Sequence, residues 1–384
     1  MQVQEILENE ELRLEEFPVA RTSAYFAHAA VCPLPRRVAV AMSEYVERAT
    51  TMDQEDAASL SMIAETKKLV AELIHATPEE IALVGPTSLA LSFIAGGLRF
   101  RKHDNILIYH DDYPSNVYPW MKLADRGVQV RLLNVRSLGQ IRAVDIIGQV
   151  DEQTRLVALA SCHYVSGFRI EIEKIGKALR ERGILFSLDA IQTLGAFPTT
   201  VEYVDFLAAD AHKWMLGPCA AGILYVRKEV QARLEPIVQG WHNLRSPDFL
   251  ALEELSYKSD ARKYEVGTHN LIGMFGLNAA MKMLLELGIE QIAAELTRKR
   301  QWLVPALQSK GYTVLHANAP AENQGGITTF FKLGSDMTAL NSVLESANIV
   351  TSLRTDRTGQ KYIRLSPHFY NADAELHKLL DCLG

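Results

Sequence analysis

Short apolar runs alternate with longer amphipathic stretches between residues 81 and 226. Short apolar runs bounded by turn signals are typical of buried strands, whereas apolar positions spaced three and four apart are typical of helices. Strands that alternate with helices predict an α/β sheet that is largely parallel and covered by helices on both faces. We place strands at 81–84, 105–109, 128–133, 156–160, 184–188, 204–209 and 221–226, and helices at 36–48, 56–75, 89–98 and 172–181.

The pattern outside this region predicts an N-terminal attachment and a second, smaller domain. Residues 1–20 contain a short charged helix that has to pack on the rest of the chain. Two consecutive helical patterns occupy 272–287 and 288–309, and strands and helices then alternate again. We therefore expect a large domain over 21–271 and a smaller C-terminal α/β domain over 272–384.

Composition excludes several classes of protein. The chain has 384 residues and a formal net charge of -6, which gives no reason to expect a nucleic-acid or membrane partner. No apolar run approaches the roughly 20 residues that a membrane-spanning helix needs. The acidic start lacks the pattern of a secretory signal, and the 4 cysteines have no metal-ligand spacing. We therefore expect a cytoplasmic protein with buried thiols and no metal site.

Two charged residues lie at the ends of predicted strands. Asp189 directly follows the strand at 184–188, and Lys213 lies shortly after the strand at 204–209. Burying either charge is costly unless it is paired or used in chemistry. A desolvated lysine suits Schiff-base chemistry, and a carboxylate in this position suits the ring nitrogen of pyridoxal phosphate. The alternatives are a surface lysine and a helix N-cap.

Further candidate residues follow other strands. Thr87 and Ser88 lie between a strand and a helix, where free N–H groups and hydroxyls suit a phosphate; on these residues alone we favour simple capping of the helix. Tyr113 is a ring for stacking on a planar cofactor, or a half-buried loop residue. Arg364 is a clamp for a carboxylate, or an outward-facing charge on a strand. His212 stays open between phosphate donor, proton shuttle and structural residue.

Several segments resemble those of a known family, in the same order and over nearly the whole chain. They are YFAHAA (25–30), GPTS (85–88), YPSNVYPW (113–120), SLDAIQ (187–192), AHKW (211–214), YEVGTHN (264–270) and IRLSPHFYN (363–371). The chain resembles the class V aminotransferase group of fold-type I pyridoxal-phosphate enzymes. Relatives include cysteine desulfurases, selenocysteine lyases, isopenicillin N epimerase and kynureninase. The combination is specific for the group and much less specific for the reaction.

The resemblance implies how pyridoxal 5'-phosphate would be held. Lys213 would bind the cofactor covalently and later move the Cα proton of the substrate. Asp189 would pair with the pyridinium nitrogen, and Gln192 would contact the ring hydroxyl. The phosphate would be bound by Thr87, Ser88 and His212.

The resemblance also implies a composite site and a substrate clamp. Thr268 would reach the cofactor of the neighbouring protomer, which implies a homodimer with shared sites. Tyr113 would stack on the cofactor ring, where the desulfurases usually have a histidine. Arg364 would bind the carboxylate of a small amino-acid substrate, with Ala30 and Tyr164 as further substrate contacts.

Two more departures from the family pattern bear on the reaction. Tyr164 stands where many relatives place an asparagine, and its role and that of His163 stay open. The loop at 354–361 contains no cysteine, although desulfurases carry their persulfide-forming cysteine in this region. A thiolate nucleophile is therefore missing where sulfur transfer to the enzyme needs it.

These observations predict a pyridoxal-phosphate enzyme acting at Cα of an amino acid. We rank an aminotransferase first, on the family alone; the alternatives are a desulfurase-like or selenocysteine lyase-like enzyme, an amino-acid epimerase and a β-lyase. A nucleotide-dependent enzyme would need a glycine-rich fingerprint, which residues 85–88 do not supply. A non-catalytic family member is less expected because Lys213 and Asp189 are both present.

Overall fold

The computed structural model describes residues 2–247 and 250–383. Its helices are α1 (Val3–Glu8), α2 (Glu10–Glu16), α3 (Arg36–Arg48), α4 (Gln54–Ala57), α5 (Leu60–Ile74), α6 (Thr87–Gly97), α7 (Tyr118–Met121), α8 (Ala143–Ile147), α9 (Ile172–Glu181), α10 (Leu271–Leu287), α11 (Ile289–Ser309), α12 (Met337–Ser346) and α13 (Asp373–Asp381). Its strands are β1 (Ala24–Tyr25), β2 (Ile81–Val84), β3 (Asn105–Ile108), β4 (Gln129–Leu132), β5 (Thr154–Ala160), β6 (Leu185–Asp189), β7 (Phe206–Asp210), β8 (Gly222–Val226), β9 (Thr313–Val314), β10 (Thr328–Phe331), β11 (Ile349–Val350), β12 (Ser352–Thr355) and β13 (Lys361–Leu365).

The predicted α/β fold is confirmed. A 7-stranded sheet has the order β2-β8-β7-β6-β5-β3-β4. Only β8 is antiparallel to its neighbours in this sheet; the other described pairings are parallel. Because β8 reverses between β2 and β7, those two strands run in the same direction. The carboxyl ends of β2, β5, β6 and β7 therefore meet at one edge of the sheet.

Helices cover both faces of this sheet. Along β5, Val157 and Leu159 contribute to one buried apolar cluster, and Leu156 and Ala158 contribute to the other. This alternation is the two-residue period of a strand with a core on each side. It explains why the strand reads as a continuous apolar run in the sequence.

A second sheet forms the C-terminal part of the chain. It has 4 strands in the order β12-β13-β10-β9, and its described pairings are antiparallel. Its apolar cluster draws on α11 through Leu303 and on α13 through Leu376. By contrast, α10 packs Met274 and Leu277 into the larger cluster of the central sheet. The division between domains at 271 and 272 stays a prediction of the sequence.

The N-terminal segment packs on the rest of the chain through its apolar residues. The expected helix is interrupted at Asn9, whose side chain accepts a hydrogen bond from Leu12 N (3.1 Å) and so begins α2. Phe17 stacks on Tyr370 with ring centroids 3.9 Å apart. No single described helix is long and apolar enough to cross a membrane, although the bent pair α10 and α11 passes that test together.

Candidate active site

A cavity of about 320 Å³ opens at the edge where the carboxyl ends of the parallel strands meet. This volume falls in the range of small-molecule sites, and this edge is where α/β sheets bind ligands. The structure brings together every predicted site residue except Thr268. Those lining the cavity are Ala30, Thr87, Ser88, Tyr113, Tyr164, Asp189, Gln192, His212, Lys213 and Arg364.

Lys213 and Asp189 form the base of the cavity. Lys213 is only 6% exposed, and its Nζ lies 5.3 Å from the ring centroid of Tyr113. Burial lowers the pKa of the Lys213 amine to about 8, although the Asp189 carboxylate opposes this shift. Burial raises the pKa of Asp189 to about 6, against the hydrogen bond from Ile191 N (3.1 Å) and the charge of Lys213. Lys213 is therefore a buried amine rather than a surface lysine.

The first turn of α6 forms one end of the cavity. No side chain caps this helix, so the capping role that we favoured for Thr87 and Ser88 is wrong. In the described part of the chain, the buried Oγ1 of Thr87 has no hydrogen-bond partner, and Ser88 Oγ lies 2.7 Å from Ser115 Oγ. His212 Nδ1 donates to the buried Asp210 carboxylate over 2.8 Å, and its Nε2 has no partner among the described residues and can face a ligand. Hydroxyls, free helix N–H groups and an imidazole suit a phosphate.

Gln192 also lines the cavity, and both ends of its side-chain amide make hydrogen bonds within the protein. Its Oε1 accepts a hydrogen bond from Trp214 Nε1 (2.9 Å), and its Nε2 donates to Ala29 O (3.1 Å). Within the described chain, the second hydrogen of Nε2 has no acceptor and remains available for a ligand.

The second sheet supplies the other end of the cavity. Arg364 on β13 is 1% exposed and donates to Tyr164 O (2.6 Å), with Ser352 Oγ at 3.5 Å. Burial, and then the neighbouring Arg354, lower the pKa of Arg364 to about 9, so it stays a cation at neutral pH. Arg354 also lines the cavity and donates to Leu353 O (2.9 Å). Among the described residues neither guanidinium has a carboxylate partner, as expected for a site that binds an anion.

Sequence reasoning missed Arg354 and also Asp112, a buried carboxylate beside the cavity. Asp112 accepts hydrogen bonds from Tyr113 N (2.7 Å), Asn116 Nδ2 (3.0 Å) and Ala160 N (3.1 Å). Ala160 is the strand partner of Asp189, so Asp112 ties the loop of Tyr113 to the base of the site. Burial, and then the charge of Asp189, raise the pKa of Asp112 to about 7. The pair Asp111-Asp112 had no pattern that separates it from ordinary solvated loop acids.

Thr268 lies outside this cavity. Its side chain is exposed, and its hydroxyl donates to Glu55 Oε1 over 3.0 Å. Its predicted contact with a neighbouring protomer therefore stays a prediction.

His163 and Tyr164 differ in position. His163 is buried. Its Nε2 donates to Asp111 O (3.0 Å), and its Nδ1 accepts from Ser166 N (3.1 Å), so its ring joins the backbone of the loop at Asp111 to that of its own loop. Burial lowers the pKa of His163 to about 4, so it is neutral. Tyr164 faces the cavity, with its ring edge-on to Tyr113 at 5.4 Å.

In the described part of the chain, no cysteine lines the cavity. Cys32 and Cys162 are buried, and burial raises the pKa of both thiols. The loop that carries a cysteine in desulfurases is here a compact hairpin. Asp356 closes it by accepting hydrogen bonds from Thr358 N (2.8 Å) and Tyr362 OH (2.7 Å).

These residues fit pyridoxal phosphate. The amine of Lys213 is buried, and the charge of the neighbouring Asp189 carboxylate acts on it. The orphaned hydroxyl of Thr87 lies at a helix N-terminus, where a phosphate would satisfy it. Together they offer an amine for covalent attachment, a carboxylate for the pyridinium nitrogen and a phosphate cradle.

Comparisons with known proteins identify the family of the chain. Residues 24–379 match the family model "Aminotransferase class-V". The chain is 30% identical to a probable cysteine desulfurase of Methanothermobacter thermautotrophicus, over 96% of each chain. Its fold resembles an apo cysteine desulfurase of Thermococcus onnurineus NA1, with a TM-score of 0.88, 24% identity and coverage of 97% and 96%. It also resembles the cystine C-S lyase C-DES in complex with its reaction product cysteine persulfide, with a TM-score of 0.86, 22% identity and coverage of 96% and 98%. The chain therefore belongs to the class V aminotransferase family, and it is a pyridoxal-phosphate-dependent enzyme.

Proposed function

We propose that the enzyme cleaves the Cβ–S bond of cysteine or a cysteine derivative by elimination. The observation that carries the proposal is one cavity that holds a buried lysine amine and two arginines without a carboxylate partner among the described residues, and that no described cysteine lines. Similarity to a probable cysteine desulfurase, and a fold shared with a cystine C-S lyase, support action on a sulfur amino acid. They favour the desulfurase-like alternative over the aminotransferase that we ranked first.

Each group in the cavity has a role in this reaction. Arg364 and Arg354 bind the substrate carboxylate by charge-assisted hydrogen bonds. Lys213, whose pKa is lowered to about 8, takes the Cα proton as a general base. Pyridoxal phosphate supplies the electron sink that makes this proton acidic.

Elimination then needs no protein thiol. The Cβ–S bond breaks, its electron pair leaves on sulfur, and the sulfur takes up a proton. Overall, cysteine and water give hydrogen sulfide, ammonia and pyruvate. Transfer of sulfur to the enzyme would instead require a reactive thiolate in the cavity, and the described lining contains none.

The products decide between the candidate reactions. We expect the cofactor-loaded protein to convert L-cysteine into sulfide and pyruvate in equal amounts. Alanine in place of pyruvate would establish desulfuration, and conversion of the cofactor to its amine form would establish aminotransfer; either result overturns the proposal.

Matched variants test the residues. Lys213→Ala should lower the turnover by roughly 10²- to 10⁴-fold, the usual contribution of a general base. The double variant Cys219→Ser/Cys382→Ser should keep the parental turnover, since neither thiol lines the cavity. If the double variant lost sulfide release, a protein thiol would have to take part.

We also propose that the enzyme works as a homodimer. Among the described residues, the exposed large apolar side chains include Ile237, Trp241 and Leu255, which lie in one stretch of the chain. Such an exposed apolar surface is typical of a region that a partner covers. Analytical ultracentrifugation should give the mass of a dimer; a monomer at micromolar concentration would contradict this.

A further inference from the structure

Buried hydrogen bonds determine which way the amide of Gln192 faces. Trp214 Nε1 donates to Gln192 Oε1 over 2.9 Å, and an indole nitrogen can only donate. The opposite end of the amide, Nε2, therefore has to be the one that donates to Ala29 O. Both Gln192 and Trp214 are buried, so water does not replace these bonds.

Trp214 is itself held on two sides. Its carbonyl accepts a hydrogen bond from His368 Nε2 (3.1 Å), because His368 Nδ1 is occupied by Phe369 N (2.9 Å). Gly326 lies directly against the indole, where an added Cβ would be 2.5 Å from the ring. The indole can therefore not turn away from Gln192 without moving its neighbours. Trp214 also directly follows Lys213 in the chain.

We propose that Trp214 is a positioning residue for the cofactor: together with Ala29 O, it holds the Gln192 amide so that the remaining N–H of Nε2 is directed at the ring hydroxyl oxygen. With the amide reversed, Oε1 would face that oxygen and two acceptors would repel each other. The inference rests on the cofactor placement used for the proposed function. It adds a residue with no direct contact to the cavity, since Trp214 does not line it.

Trp214→Phe tests this by keeping an aromatic ring and removing its N–H. The readout is the pH at which the near-violet absorbance band of the cofactor-loaded protein titrates. Losing a donor to the ionised ring oxygen should raise this midpoint by about half a pH unit or more. The dissociation constant of the cofactor should rise several-fold.

The decisive comparison is the same substitution in a Gln192→Ala background. There Trp214→Phe should cause no further shift, because the amide through which it acts is gone. Trp302→Phe, a substitution in α11 next to His377, should leave the midpoint unchanged. An equal shift in both backgrounds, or no shift in either, overturns the proposal.

A second variant covers the case in which Trp214→Phe does not fold. Gln192→Met keeps the length of the side chain and removes both polar ends, so it should raise the midpoint in the same direction. An unchanged midpoint in Gln192→Met would overturn the proposal by itself. Failure of the proposed reaction is separate: the parental protein would release no sulfide while these spectra stay measurable.

Discussion

Lys213 can act as a base near neutral pH because burial disfavours its charged form more than Asp189 favours it. With a pKa of about 8, about a tenth of the amines are neutral at pH 7, against fewer than about one in a thousand for an ordinary lysine. The cofactor-free protein should therefore react with added pyridoxal at a rate that rises with pH and levels off above about 8. Stopped-flow absorbance measures this rate, and borohydride reduction with peptide mapping identifies the lysine.

The variant Asp189→Asn tests how the Asp189 carboxylate changes the pKa of Lys213. The carboxylate raises the pKa of Lys213, so removing its charge should move the midpoint of the rate profile to lower pH. A midpoint near that of a free lysine in the parental protein would mean that Lys213 is solvated.

Arg364 should govern substrate binding rather than cofactor binding. A charge-assisted hydrogen bond contributes about 1.5–3 kcal/mol, so Arg364→Ala should lower kcat/KM roughly 10- to 100-fold. The absorbance of bound cofactor, titrated in the same variant, should be nearly unchanged. Arg354→Ala is the matched comparison on the adjacent strand, and we expect a loss in the same direction. Equal losses of substrate and cofactor affinity would give Arg364 a structural role.

At the residue scale, charged residues that directly follow apolar strands could be identified from the sequence as site residues. Site residues in polar stretches could not. Lys213 and Asp189 stood out because charges that follow apolar strands need a reason. Arg354 did not, because it lies in a polar stretch, SLRTDRT, that reads as solvated. Its place in the cavity depends on β12 pairing with β13, a contact in three dimensions that local pattern does not specify.

At the scale of single elements, the first turn of α6 should affect both the proposed binding of the cofactor phosphate and the free energy of unfolding. The buried hydroxyl of Thr87 has no hydrogen-bond partner among the described residues, which costs free energy until a ligand satisfies it. Thr87→Val should therefore stabilise the cofactor-free protein by about 1 kcal/mol and weaken cofactor binding about tenfold. Thermal unfolding with and without the cofactor measures both effects.

Thr66→Val is the control for this substitution. Thr66 is also buried, but its hydroxyl donates to Met62 O (2.8 Å) and accepts from Asn278 (3.0 Å). The control should therefore be destabilised with or without the cofactor. Destabilisation of Thr87→Val in the cofactor-free protein would mean that its hydroxyl has a partner there.

Most elements could be predicted from periodicity, because burial on both faces makes strands apolar and amphipathic helices leave a clear stripe. The direction of β8 could not be predicted, because a short apolar run has the same pattern in a parallel strand and in an antiparallel strand. Asn9 interrupts the predicted N-terminal helix because its side chain caps the next one. At Thr87 the opposite happened: its residue type favours helix capping, but its side chain does not cap α6.

For the whole molecule, the two larger sheets contribute to one cavity: the central sheet brings Lys213 and Asp189, and the 4-stranded sheet brings Arg364 and Arg354. In the proposed site, the cofactor end and the substrate end thus belong to different sheets. Resemblance to a family anticipated this arrangement; composition and periodicity did not. The family resemblance also predicts that Thr268 completes the site of a second copy.

Hybrid dimers test this composite site. We would mix Lys213→Ala protein with Thr268→Ala protein, exchange the protomers, and measure turnover at limiting cofactor. If Thr268 acts across the interface, one site of each hybrid combines both defects and the other has neither. Turnover should then rise clearly above the mean of the two parents. If Thr268 serves its own protomer, every site carries one defect and mixing should give only that mean. Each parent exchanged with itself is the control.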